Sequence, residues 1–278
     1  MDKVVVGDRK KFEEKIRILK SGGASALHVI TDFDRTITKE VIEGQKVSLS
    51  YHPLYECFKK EDYKKKLKDL FDYYHPFEFD HELTIEEKSK LMEEWWDKYF
   101  KLVEEYGITE DALYNEAIKI DRSFRPGVKE FFRILEESEV PVLIFSAGVG
   151  NLIRFYLKEE RISEKNIHIL SNNLNFTDGK MTGYTKPLIH SFNKDERHVK
   201  NTDYGSQIIN RGNVLLIGDS LGDLTMADGM KHKCILKIGF LNIKADERLE
   251  NYKKRFDLVI LNDRDFSEIN RILKEVIG

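Results

Sequence analysis

The sequence predicts an α/β protein: a parallel sheet with helices on both faces, interrupted by one helical insert. Short apolar runs recur without polar alternation, LHVIT, PVLIFSAG, NIHILSN, NVLLIGDS, CILKIG and DLVIL, as strands buried on both faces require. Helical patterns such as VKEFFRILEES and LIRFYLKEER stand between them, so strand and helix alternate. Residues 42–122 break that rhythm, being rich in Lys, Glu, Tyr and Trp with helical periodicity only.

In chain order, MDKVVVGDRKKFEEKIRILK has no apolar signal core and reads as a short charged helix. LHVIT is the strand that precedes the insert. The insert holds three helical candidates, YKKKLKDLFDYY, TIEEKSKLMEEWWDKYFKLVEEYG and DALYNEAIKI. Thr84 and Glu87 form a capping box for the long middle helix, and Gly107 is its natural stop. Arg125-Pro126-Gly127 marks the return to the sheet. The predicted domains are therefore a core of residues 1–41 and 123–278 and a helical insert of residues 42–122.

A chain of 278 residues accommodates a core domain with an insert. With 41% apolar and 34% charged residues and a net charge of −3, the composition suits a soluble globular protein and points to neither nucleic acid nor anionic membrane as partner. Lys/Glu runs at residues 59–68 and 244–255 read as solvated helix faces. No apolar stretch approaches a membrane span. Two distant cysteines, Cys57 and Cys234, read as reduced thiols of a cytoplasmic protein.

Ligands of open parallel sheets bind at the carboxyl ends of the strands, and here those ends share one chemical theme. LHVIT runs into Asp32-Phe33-Asp34-Arg35-Thr36, PVLIF into Ser146-Ala147-Gly148, and NVLLI into Gly218-Asp219-Ser220-Leu221-Gly222-Asp223. The strand NIHILSN leads on to Lys186 and Lys194. Asp32, Asp34 and Asp219 converging on one sheet edge repel one another and call for a cation; hard oxygen donors favour Mg²⁺. Lysine and serine nearby suit a phosphate, whose neutralised oxygens let a carboxylate approach phosphorus. Strand alternation puts Asp32 and Asp34 on one side and turns Phe33 into the core. Aspartate is a recognised nucleophile of this kind.

Taken together, DFDRT, FSAG, a downstream Lys and GDSLGD resemble the four motifs of the haloacid dehalogenase superfamily. Within it, TDFDRTIT, LTIEEKSKLMEEWW, PVLIFSAG, LIHSFNK, LLIGDSLGDLTMADG and LKIGFLN are similar to the cytosolic 5′-nucleotidase type III family, also called pyrimidine 5′-nucleotidases, from about residue 20 to the C-terminus. The resemblance implies a Rossmann-like core whose insert is a cap. It implies Asp32 as nucleophile and Asp34 as general acid and then base. The Asp32 side chain, the Asp34 carbonyl and Asp219 would hold Mg²⁺, with Asp223 in support. Ser146, the Ala147 amide and Lys194 would bind phosphate, Lys186 being the alternative lysine.

For the base of the nucleotide the resemblance points to Glu78 in the cap, with Trp96 and His52 as stacking surface. Adjacent Trp95 and Trp96 cannot share a helix face, so one of the two packs in the cap core and the other can face the cleft. Tyr99 stands where family members can carry a small polar residue, which reshapes the pocket; Arg35 has no role in this reading. The expected activity is Mg²⁺-dependent hydrolysis of pyrimidine monophosphates such as CMP and UMP, or of 7-methylguanosine monophosphate, by a cytoplasmic monomer. Phosphoryl transfer to another nucleoside is expected alongside it. The rivals are a phosphatase of the same superfamily acting on another small ester such as phosphoserine, and a non-catalytic scaffold on the same fold.

Overall fold

The structure is a computed structural model that describes residues 4–120 and 124–278. Its centre is a seven-stranded sheet that contains all six apolar runs. The chain enters through β1 (Val4–Val6) and α1 (Arg9–Ala26), followed by β2 (Leu27–Thr31). The N-terminal stretch is thus a strand as well as a helix: Val4–Val6 pairs antiparallel with the last strand and closes the sheet edge.

The insert opens on a small hairpin, β3 (Val41–Ile42) and β4 (Gln45–Lys46), and a short helix, α2 (His52–Glu56). Three longer helices follow: α3 (Glu61–Phe79), α4 (Ile85–Glu105) and α5 (Glu110–Lys119). The capping box at Thr84 and Glu87 is formed, with Thr84 Oγ1 accepting from Glu87 N at 3.2 Å. Gly107, at φ 72°, lies just past the end of α4.

The chain then lays down α6 (Val128–Glu137), β5 (Val142–Val149), α7 (Gly150–Glu159) and β6 (Ile167–Asn172). Within α6, Val128, Phe131, Phe132 and Leu135 recur at helical spacing and are buried. The connection after β6 is not plain loop. It forms a second hairpin, β7 (Leu174–Thr177) and β8 (Lys180–Tyr184), that leans on α4: Tyr184 Oη donates to Asp97 Oδ1 at 2.8 Å. The remaining elements are α8 (Asp203–Ile208), β9 (Asn213–Gly218), β10 (Cys234–Leu241), α9 (Ala245–Arg255), β11 (Leu258–Leu261) and α10 (Ser267–Ile277).

Strand order is β1-β11-β10-β9-β2-β5-β6, parallel throughout apart from β1. Side chains alternate between two apolar layers. Leu27, Val29 and Leu215 join α1, α6 and α10 on one face, while Ile30, Leu143 and Leu216 join Tyr204 and Ile208 of α8 on the other. Phe33 is fully buried in the first layer, so the two flanking aspartates turn the opposite way. Among the described residues, no helix is long and apolar enough to cross a membrane. Cys57 and Cys234 are free thiols.

Candidate active site

The adjacent central strands β9, β2 and β5 deliver their polar ends side by side. Asp32 leaves β2 with its amide donating to Ile217 O of β9 at 3.0 Å. Its carboxylate meets Lys194, whose Nζ donates to Asp32 Oδ1 at 2.6 Å and to Asp223 Oδ1 at 3.0 Å. All three side chains are almost wholly buried. The other oxygen of Asp223 accepts from the amides of Asp219 and Ser220, at 3.2 and 2.9 Å, and from the Ser220 hydroxyl at 2.8 Å. Asp223 therefore shapes the turn that presents Asp219.

One oxygen each from Asp32, Asp219 and Asp223 lie within 4.8 Å of one another. Burial pushes the Asp219 carboxyl well above its ordinary range, and the charges of Asp223 and Asp32 push it the same way. Burial likewise raises Asp32, to about 7, against the pull of Lys194. Such a group of carboxylates is costly as it stands, and its all-oxygen donor set fits a hard divalent cation.

Asp34 is held differently. Ser50, from the start of the insert, donates to it twice: its amide to Oδ1 at 3.1 Å and its hydroxyl to Oδ2. Burial raises the Asp34 carboxyl despite those two bonds. The neighbouring strand end leaves room for this contact only because residue 148 is glycine. A Cβ there would fall 1.6 Å from Ser50 Oγ and 3.3 Å from Ser146 Oγ. Ser146 is buried, its hydroxyl accepting from Gly148 N at 3.1 Å, and Asn172 donates to Ala147 O at 2.7 Å. The strand end Ser146-Ala147-Gly148 thus lies against Ser50, which in turn holds Asp34. Nothing local in the sequence distinguishes Ser50 from other serines.

The two candidate lysines separate cleanly. Lys194 reaches the carboxylates; Lys186 pairs with Asp97 on α4 and is half exposed. Glu78, near the end of α3, accepts from the Ser191 hydroxyl at 2.6 Å, which joins the insert to the loop before Lys194. Trp96 lies edge-on to Tyr51, ring centres 6.3 Å apart, and Tyr99 lies edge-on to Trp96 at 5.5 Å. Trp95 lies against Tyr74 and Phe71 between α3 and α4, whereas Trp96 packs against the hydrophobic core, stacked on Phe100 with ring centres 5.4 Å apart. His52 opens α2 with its ring against Tyr55 of the same helix, 6.5 Å away, and Tyr51 takes the place beside Trp96. Tyr51 is also within electrostatic reach of Arg35, Asp34 and Glu78. With Ser50 it links Asp34 to the insert, and nothing in its local sequence marks it for that place.

Arg35 and Arg125 complete the site. Arg35 adopts φ 62°, and its side chain approaches Asp219, Asp34 and Tyr51. The turn is clasped by Arg125, which is 1% exposed. Its guanidinium donates to Thr36 O at 2.7 Å, to Arg35 O and Arg264 O at 2.6 Å and to Asn242 Oδ1 at 2.9 Å. It also pairs with Asp263 at 2.9 Å and lies 4.1 Å over the Phe240 ring.

Residues 35–277 match the model of the pyrimidine 5′-nucleotidase (UMPH-1) family. The chain belongs to that family. Like its relatives it is a 5′-nucleotidase, a hydrolase of nucleoside monophosphates. It is 37% identical over 278 residues to 7-methylguanosine phosphate-specific 5′-nucleotidase A of Xenopus laevis, covering 99% of this chain and 96% of the relative. To the 7-methylguanosine phosphate-specific 5′-nucleotidase of Homo sapiens it is 36% identical over 270 residues, covering 96% and 90%. A crystal structure of cytosolic 5′-nucleotidase IIIB bound to cytidine superposes with a TM-score of 0.89 at 31% identity, covering 100% of this chain and 94% of that one. Phosphoserine phosphatase in its apo form shares the fold alone, with a TM-score of 0.53 at 16% identity over 88% of this chain and 98% of that one.

Proposed function

We propose that this 5′-nucleotidase is Mg²⁺-dependent and hydrolyses 7-methylguanosine monophosphate and CMP through a phosphoryl group carried on Asp32. The observation that carries the reading is Lys194 clasped between Asp32 and Asp223, with Tyr51 of the insert within electrostatic reach of both Asp34 and Glu78 and edge-on to Trp96. Asp32 attacks phosphorus and the P–O bond to the 5′-oxygen breaks. Asp34, its carboxyl raised by burial, gives its proton to that oxygen. Asp34 then takes a proton from water, which attacks the phosphorus and frees Asp32. Lys194, Ser146 and the Ala147 amide hold the phosphoryl oxygens. Mg²⁺, held by Asp32, Asp219 and the Asp34 carbonyl with Asp223 in support, would supply charge neutralisation. A nucleoside hydroxyl in place of water turns the second step into phosphotransfer.

Residues 42–122 act as the cap of a core formed by residues 1–41 and 123–278, in a cytoplasmic monomer. Glu78 with Ser191, and Ser89 with His190 at 3.3 Å, are contacts that opening would break. Cytosine and 7-methylguanine both present N–H donors that a carboxylate accepts, and the methylated base also carries positive charge. Glu78 and the face of Trp96 suit such a ring. A panel of CMP, UMP, AMP, GMP and 7-methyl-GMP tests this. Wild type is expected to prefer 7-methyl-GMP and CMP, and Glu78→Gln to lower their kcat/KM by about 10²-fold while AMP changes little. An unchanged ranking in Glu78→Gln rules out this assignment.

Metal removal has a signed pH dependence. Asp32 and Asp219 have raised carboxyl pKa values in the folded state, so the native chain binds protons that the unfolded chain has released. Stability in chelator should therefore fall as pH rises from about 4, where unfolded carboxylates lose their protons, through about 7. Mg²⁺ relieves that repulsion, so at about 100-fold its Kd the gain in Tm should be several degrees at high pH and smaller at low pH. Thermal melts at pH 5 and pH 8 with and without Mg²⁺ check this. An equal Mg²⁺ effect at both pH values contradicts it.

A further inference from the structure

A second group of ligating side chains lies on the sheet but away from the catalytic carboxylates. His28 is the second residue of β2, four before Asp32 and so roughly 13 Å along the strand. It points to the α8 face. Beside it are Glu196, from the short 3₁₀ turn Glu196–His198, and His232, from the loop that leads into β10. His28 and Glu196 are fully buried, and the His232 side chain is 4% exposed. One donor atom from each lies within 4.8 Å of the other two. His232 Nε2 already meets Glu196 Oε2, and the two imidazole centres are 5.4 Å apart.

The polar accounting here is incomplete. His28 Nε2, Glu196 Oε1 and His232 Nδ1 are buried without a hydrogen-bond partner. Three orphaned polar atoms in one place are costly, because each gives up water for nothing. His28 is oriented from behind, its Nδ1 lying 3.1 Å from the Tyr204 hydroxyl, so that Nε2 faces the cluster. This is how a ligating histidine is held by its outer neighbour. Burial keeps the ring neutral, its pKa pushed down to about 3, and in the tautomer whose Nδ1–H donates to the Tyr204 oxygen, Nε2 presents its lone pair to the cluster.

We propose that His28, Glu196 and His232 form a structural site for a transition-metal ion, zinc by the chemistry of the donors. Two imidazoles and a carboxylate suit Zn²⁺, which takes such ligands at about 2.0–2.2 Å, and they do not suit Mg²⁺, which prefers oxygen. Drawing the donors onto one tetrahedral ion needs side-chain shifts of about an ångström. The metal replaces the proton between His232 and Glu196 and leaves a fourth position for water or the second Glu196 oxygen. Its place in the chain gives it a task. Glu196 lies two residues beyond Lys194, and its amide donates to Asp228 O, just past the turn that carries Asp223, at 2.8 Å. A metal here ties β2, the Lys194 loop and the segment after Asp223 into one unit, and so supports all three catalytic segments from below.

The test separates the two metal sites by their donors. Chelator-stripped protein is kept in excess Mg²⁺ to fill the oxygen site, titrated with Zn²⁺, and its bound zinc is counted after gel filtration. Wild type and Asp219→Asn are expected to retain about one Zn²⁺ per chain and to gain several degrees in Tm, whereas His28→Gln and His232→Gln retain less than about a tenth as much. Circular dichroism establishes that the variants fold. Co²⁺ in wild type offers an independent readout that needs no variant: intense visible bands of a tetrahedral site with nitrogen ligands support the proposal. Only the weak bands of an oxygen-ligated octahedral ion, no retained zinc, or equal zinc in wild type and folded His28→Gln overturn it.

Discussion

Asp32→Asn is expected to lower nucleotidase turnover by about 10⁴-fold or more, the loss typical when a nucleophile that acts as one unit with its partners is removed. The amide keeps the shape of the carboxylate but cannot accept the phosphoryl group. Lys194 retains Asp223 at 3.0 Å, so the lysine stays in place. The variant should also fold, and without a divalent cation at pH 8 it should melt about as high as wild type or a few degrees higher. The reason is that burial has already raised the Asp32 carboxyl to about 7, so at pH 8 its charge opposes folding beside Asp219 and Asp223. Steady-state phosphate release and thermal melts on the same preparations measure both effects. Turnover within about tenfold of wild type would exclude Asp32 as the nucleophile.

The largest loss of stability is expected at a residue that touches no substrate. Arg125→Lys should cost about 3–5 kcal/mol, a fall in Tm of roughly 8–15 °C. The guanidinium satisfies three backbone carbonyls, Asn242 and Asp263 at once, over the face of Phe240. An ammonium is a compact point donor without the planar fork and cannot span that set, so it leaves buried acceptors unpaired. Burial alone lowers the Arg125 pKa, to about 10, so the cost of its charge is offset only by these bonds. Because they hold Arg35 O and Thr36 O, the turn after Asp34 should loosen and kcat should fall with Tm. Urea and thermal unfolding decide this, and a loss of less than about 1 kcal/mol would mean the clasp is dispensable.

How much of this is legible in the chain depends on the range of the interaction. The six apolar runs, the capping box at Thr84 and the stop at Gly107 are local signals, and each is found where the periodicity predicts it. Val4–Val6 forms a strand inside a stretch that reads as helix, because three valines are too short a run to carry a period. The hairpin from Leu174 to Tyr184 carries little signal of its own because it alternates weakly and gains its support from α4. Tyr51, not its neighbour His52, stands beside Trp96, and nothing in SYHP tells which ring turns that way once α2 begins.

By itself the sequence determined the fold class and the chemistry. Carboxylates at the ends of apolar strands are too costly to be incidental, and DFDRT and GDSLGD each state their part within a few residues. Only the tertiary structure decided which groups stand together. It chose Lys194, 162 residues from Asp32, over Lys186, and it brought Ser50 to Asp34. It set Arg125, 89 residues away, behind the motif-one turn. It placed His28, Glu196 and His232 around one buried point. Local patterning records what each segment must bury. A contact between distant segments exists only after the sheet has ordered its strands, and it leaves no trace in the spacing of either segment.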